Sequence, residues 1–136
     1  MINVSLHNYK SYNRGNKMNP KKMLSELVFV NEVSSKKQTY YIYSNKAGYI
    51  LMTISKTKEN SCNLVVVPHG APEYVQRIFK GKQKITAAEI LAGTRKPEYI
   101  KSTFNVLNAL YVLCAQKKAN IDHRFKGRAL YFSIKK

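Results

Sequence analysis

The stretch NIDHRFKGRALYFSIKK (120–136) holds two alternating runs joined at Lys126-Gly127. Ile121, His123 and Phe125 share one side of the first run, and Leu130, Phe132 and Ile134 share one side of the second. A side-chain period of two on either side of a Lys-Gly bend is the pattern of a β-hairpin. Arg124, Lys126 and Arg128 crowd the bend, so the hairpin carries a cationic tip. Such a tip suits a polyanion, and it equally keeps a surface hairpin soluble. The flanking sequence has to choose between these.

Working upstream, TRKPEYIKSTFNVLNALYVLCAQKKA (94–119) places Ile100, Phe104, Leu107, Tyr111 and Cys114 at steps of three and four. Pro97 suits a first helical turn, Glu98 the positive end and Lys117-Lys118 the negative end, so the spacing predicts one helix over 96–118. In KITAAEILAGT (84–94), Thr86 and Glu89 have capping-box spacing, with Ala87, Ile90 and Leu91 on the buried side and Gly93 as the stop. PEYVQRIFKGK (72–82) predicts a short amphipathic helix over 72–80, with Val75, Ile78 and Phe79 as its stripe.

The texture before Pro68 is different. LVFVNEV (27–33), TYYIYS (39–44), GYILMTIS (48–55) and NLVVV (63–67) are short and rich in Val, Ile, Tyr and Thr, with turn-like segments between them. They predict an antiparallel β-meander with one face in the core. MINVSLHNYKSYNRGNKMNPKK (1–22) is polar, basic and aperiodic, and reads as a flexible basic arm. The expected organisation is therefore α+β: an arm (1–22), a meander (23–70) and a helical unit closed by a hairpin (71–136).

Taken in order from residue 72, the elements are helix, short extended KIT, helix, tight turn, long helix and two-stranded hairpin. This order resembles the winged helix-turn-helix domain, and the end of the chain is similar to bacterial repressors of the arsenic-repressor type. ANIDHRFKGRALYFSI (119–134) follows that family's rhythm, with Lys126-Gly127-Arg128 at the wing tip and Tyr131-Phe132-Ser133-Ile134 on the returning strand. ITAAEIL (85–91) looks like the helix that opens the helix-turn-helix. The resemblance covers about the last 65 residues. The turn GTRKP replaces the family's Gly-apolar-Ser, and the family's helix-borne Cys pair for metal sensing is missing.

Composition bears on partners. Twenty-four Lys and Arg stand against seven Asp and Glu, a formal charge of +17, while 44% of residues are hydrophobic. The chain affords a packed core, and its charge imbalance calls for a polyanion, nucleic acid first. Nineteen of the cations are Lys, which contacts phosphate as a point charge. No run of about 18 apolar residues is present, so no membrane span is expected. Cys62 and Cys114 lack zinc or disulfide-framework spacing, which points to a reducing, intracellular setting such as a nucleoid or nucleus. One Asp, scattered His7, His69 and His123, and the absence of a Gly-rich phosphate loop leave no catalytic constellation, cofactor or metal site.

The expected function is a non-catalytic double-stranded DNA-binding protein, a transcription regulator or architectural subunit, acting alone, as a homodimer or in a larger complex. With Ile100, Phe104 and Leu107 inward, Lys101, Ser102, Asn105 and Asn108 would face the major groove. Arg95 and Lys96 would meet phosphate beside the helix N-terminus, and His123, Arg124, Lys126 and Arg128 would carry the wing, 122–132. Two other readings stay open. One is an RNA- or ribonucleoprotein-binding module that stacks bases on Tyr41, Tyr43 and Tyr49. The other is an adaptor subunit that docks protein.

Overall fold

A computed structural model describes residues 3–7 (backbone), 21, 24–35, 38–54, 61–95, 97–124, 127 and 129–136. The protein is α+β and divides into two compact units, Met1–His69 and Gly70–Lys136. No helix among the described residues is long and apolar enough to cross a membrane.

In the first unit the β-branched and aromatic runs form β2 (Val28–Ser34), β3 (Thr39–Asn45), β4 (Gly48–Ile54) and β5 (Ser61–Val67), an antiparallel four-strand meander. A fifth strand, β1 (Asn3–His7), lies parallel to β5 with Val4 opposite Cys62 and Leu6 opposite Leu64. The sheet order is β1-β5-β4-β3-β2. These five residues were expected in a flexible arm; Val4 and Leu6 alternate, but a five-residue parallel strand gains its partner only from β5, far along the chain. The rest of the expected arm lies outside the described residues, except Lys21, which is exposed.

The β3–β4 connection is built by Asn45, whose Oδ1 accepts from the Ala47 N–H at 2.9 Å and the Gly48 N–H at 3.3 Å. Such Asx closure is a local alternative to a backbone turn. Gly48 has φ +150, and a Cβ there would lie 2.4 Å from the Val67 carbonyl oxygen, so only glycine fits. Ile50, Leu64 and Val66 bury one sheet face together with Leu27, Tyr43 and Met52. Ile42, Leu51 and Val65, paired across three strands, are buried on the other. One core face was expected; the sheet buries apolar side chains on both.

The second unit runs α1 (Gly70–Phe79), β6 (Ile85–Thr86), α2 (Ala87–Ala92), α3 (Thr103–Ala115), β7 (Ala119–Ile121) and β8 (Tyr131–Ile134). The hairpin recruits β6, so the sheet is three-stranded in the order β6-β8-β7, not two-stranded. The arrangement is thus not the plain helix-helix-long helix-hairpin succession. Thr86 caps α2 as its spacing indicates: its Oγ1 accepts from the Glu89 N–H, and Glu89 Oε1 accepts from the Thr86 N–H, both at 3.2 Å.

The long helix is shorter than the expected 96–118. Residues 97–100 form a turn closed by the Ile100 N–H on the Pro97 carbonyl at 2.9 Å. The helix then starts at Ser102, whose extended backbone and side chain cap it. It stops where Lys117 takes φ +61 and the Lys118 N–H reaches back to the Leu113 carbonyl at 2.8 Å, a Schellman ending. From Val106 onward nearly every residue of α3 is buried, and Tyr111 meets Phe132 of β8 edge to face at 6.2 Å. Burying each such large side chain contributes about 1.5–3 kcal/mol, so α3 and β8 form the centre of this core.

Candidate nucleic-acid interface

The N-terminal end of α3 gathers three of the expected contact residues by local hydrogen bonding. Asn105 Oδ1 accepts from the Lys101 N–H at 3.0 Å and from Ser102 Oγ at 3.1 Å, while the Asn105 N–H donates to Ser102 Oγ at 3.3 Å. Ser102 thus caps the helix, while Asn105 Oδ1 takes the N–H of the residue before the cap, Lys101. Lys101 is exposed and Ser102 and Asn105 are half-buried, so the end presents one cation to solvent. Helix N-termini attract phosphate through their N–H groups and the helix dipole. Asn105 is constrained by the cap, because a bidentate adenine contact needs the same Oδ1.

Arg95 is exposed just upstream, and its N–H donates to the Tyr74 hydroxyl at 3.2 Å. Tyr74 also carries the Arg77 guanidinium over its ring at 5.6 Å and meets Tyr99 edge to face at 6.4 Å. Tyr74 therefore sets Arg77 of α1 close to residue 95. Neither Tyr74 nor Arg77 is among the expected site residues; their signal is an aromatic and a cation three apart on one helix, too common to single out alone.

Asn108 does not belong to this surface. It is 3% exposed inside the unit, and its Nδ2 finds no acceptor. Phe104, expected inward, is instead 41% exposed. The reason is that α3 is buried almost all round, so a three- and four-residue stripe no longer separates an inner from an outer face.

At the root of the hairpin, Asp122 organises the chain. Its N–H donates to the Tyr131 carbonyl at 2.8 Å, its Oδ1 accepts from the Arg124 N–H at 3.1 Å and Nε at 2.9 Å, and its Oδ2 accepts from Nη2 at 2.7 Å. The Arg124 side-chain hydrogen bonds lower the Asp122 carboxyl to about 2. Arg124 remains 78% exposed, and His123 beside it is exposed. Gly127 is exposed with φ +151 and open space around it. The expected contacts Lys96, Lys126 and Arg128 lie outside the described residues.

On the first unit's sheet, the three tyrosines expected as one platform divide. Tyr41 and Tyr43 share a face, and Phe29, 53% exposed, packs edge-on against Tyr43 at 5.3 Å. Tyr49 lies on the other face, 4.9 Å from His69, whose ring nitrogen bonds the Asn45 carbonyl oxygen at 2.8 Å. Among the described residues no three His, Cys, Asp or Glu side chains gather as a metal-holding group. Cys62 and Cys114 are free, and burial raises the Cys114 thiol to about 12. No protein-family model, curated protein or solved structure matches the chain.

Proposed function

We propose that this chain is a non-catalytic protein that binds double-stranded DNA through Gly70–Lys136, as a winged helix-turn-helix in a regulator or architectural subunit. The observation that supports this most is topological. A helix, a short strand, two helices and a hairpin close into a sheet with β8 between β6 and β7, which supports the winged-helix reading. The charge agrees, since this unit holds 14 Lys and Arg against four Asp and Glu. Its contacts are phosphate-directed: Arg95 and Arg77, which meet at Tyr74, Lys101 at the start of α3, and Arg124 on the wing. Asn105, held by its cap, positions that end without reading bases, which favours sequence-independent grip over base readout.

The direct test is competition of a labelled 30-base-pair duplex by unlabelled duplex, single-stranded DNA and RNA of equal length. Duplex DNA competes best, and Arg95→Gln with Lys101→Gln weakens binding on all duplex sequences alike. Stronger competition by single strands overturns the duplex reading. It would favour the second reading, unpaired bases on the exposed edge of Phe29 beside Tyr43 and Tyr41.

A further inference from the structure

Three stretches far apart in sequence, KGKQK (80–84), KK (117–118) and KK (135–136), are fastened side by side through the backbone. The Gly81 N–H donates to the Ile134 carbonyl at 2.9 Å, and the Ile134 N–H returns to the Lys82 carbonyl at 2.8 Å. The Lys135 N–H donates to the Lys118 carbonyl at 3.0 Å. The end of β8 is thus flanked by the α1–β6 loop on one side and the start of β7 on the other. All seven lysines are exposed, and none of the three stretches contains Asp or Glu. This lysine pole lies at the end of the hairpin opposite the wing, because the wing joins Ile121 to Tyr131 while the pole gathers the neighbours of Ala119 and Ile134.

Lysines do offset the partial negative charge of a helix C-terminus, and α1 and α3 both end here. That role falls off within the last turn, and it leaves Lys135 and Lys136 at the end of β8 unexplained. Crowding also has a cost, since adjacent strands lie about 4.8 Å apart and like charges inside a Debye length of about 8–10 Å repel. Two of the lysines carry a second cost. Lys117 has φ +61 and Lys84 φ +52, the left-handed region where glycine or asparagine is preferred. Lys117 occupies the position after α3 that a Schellman ending normally gives to glycine. A surface that gathers seven exposed lysines from three stretches fits a polyanion, which offsets the repulsion between them.

We infer that the lysine pole grips the phosphodiester backbone of a nucleic acid without regard to sequence. Lysines act there as point charges against a polymer that carries one charge per 3.4 Å of each strand, so fine geometry is not needed. A lipid surface fits less well, because the three stretches offer no apolar side chain to enter it. The inference is independent of the role given to α3 and the wing, and stands or falls on different residues.

The test uses the full chain and measures affinity for a random 30-base-pair duplex and for poly(dT) across a salt series. A pole variant carries Lys82→Gln, Lys118→Gln, Lys135→Gln and Lys136→Gln; a charge-matched control carries Lys21→Gln, Lys36→Gln, Lys37→Gln and Lys46→Gln. The pole variant loses about 0.9 in log–log salt slope for each phosphate contact removed, a total of about 2 or more, and over tenfold in affinity. The control changes the slope by less than about 1. Lys117→Gly separates binding from folding, because it relieves the left-handed strain: its thermal midpoint rises while its nucleic-acid affinity falls. Equal loss in pole and control variants overturns the site in favour of diffuse charge, and no loss in the pole variant overturns it outright. So does a pole variant that loses only its binding to phosphatidylserine vesicles. A wing variant, Arg124→Gln, that loses duplex binding while the pole variant does not would sink the pole and leave the winged-helix proposal standing; the reverse pattern does the opposite.

Discussion

Asp122 holds Arg124 by side chain and backbone together, with Arg124 Nε 2.9 Å from Oδ1 and Nη2 2.7 Å from Oδ2. The carboxyl is held at about 2 against an ordinary 3.8, chiefly by the Arg124 side-chain hydrogen bonds. A lowered carboxyl contributes stability that is fully present above the ordinary value and is lost as pH falls through the lowered one. The clasp therefore stays closed at neutral pH, its contribution to stability is lost between about pH 4 and 2, and it opens with a midpoint near 2. An NMR titration of the Asp122 carboxyl carbon is expected to show a midpoint near 2, with the Arg124 Nε–H signal broadening over the same range. A midpoint near 4 would show the clasp to be open in solution.

The clasp also occupies donors that a phosphate would use. Asp122→Asn removes an anion from the root of the β7–β8 hairpin and releases Arg124, so on the proposed function duplex affinity is expected to rise several-fold. The salt slope should steepen by up to about 0.9, one further phosphate contact. Fluorescence anisotropy over a salt series measures both; a fall in affinity would mean that Asp122 presents Arg124 to the ligand rather than withholding it.

Asn108 gives a prediction of opposite character, gain of stability without change of binding. Its buried Nδ2 lacks an acceptor, and an unsatisfied buried polar group costs about 1–3 kcal/mol. Asn108→Leu is expected to raise the free energy of unfolding in urea by about 1 kcal/mol and to leave duplex affinity unchanged. Weaker duplex binding by a stable Asn108→Leu protein would restore this residue to the contact surface.

Gly48→Ala should be severe. The added methyl would sit 2.4 Å from the Val67 carbonyl oxygen on a backbone at φ +150. Strained backbone of this kind costs about 1–3 kcal/mol before the clash is counted, so a loss of at least about 2 kcal/mol is expected in chemical denaturation. Serine at the same position should be no milder, since the first side-chain atom already collides.

Cys114, with its thiol raised to about 12 by burial, keeps only about one molecule in 10⁵ as thiolate at pH 7. Iodoacetamide is therefore expected to label Cys114 in the folded protein far more slowly than in the urea-unfolded protein, as followed by peptide mass spectrometry. Equal rates would place the thiol in water.

Elements closed by neighbouring residues could be read directly from the chain. Thr86 and Glu89 bond each other across one turn, and the strands of the meander carry their β-branched and aromatic runs within seven residues. The start of α3 was obscured by competing local signals. Pro97 and Glu98 imitate a helix entrance, while Ser102 and Asn105, which make the true one, look like surface residues of a helix already under way. The face of α3 misled for a different reason: periodicity identifies an exposed side only when one exists. Of the residues expected to meet nucleic acid, Lys101, His123 and Arg124 are exposed and Ser102 is half-buried, while Asn108 is buried. The lysine pole was not legible in the sequence, since its three stretches meet only through the pairing of β8 with β7 and the Gly81 and Lys82 backbone bonds.

The parallel seating of β1 on β5 has a bearing on how the protein is made. Asn3 pairs with Ser61, so the strand synthesised earliest in the sheet must wait through 58 residues of elongation before its partner exists. At ribosomal speeds of about 5–20 residues per second, that is an interval of seconds in which β1 has nowhere to go, while the hairpins of the meander close in microseconds. The sheet is thus built from the β2 edge toward β5 and seats β1 last, and from the moment β5 joins until β1 docks its border is open to another molecule's strand.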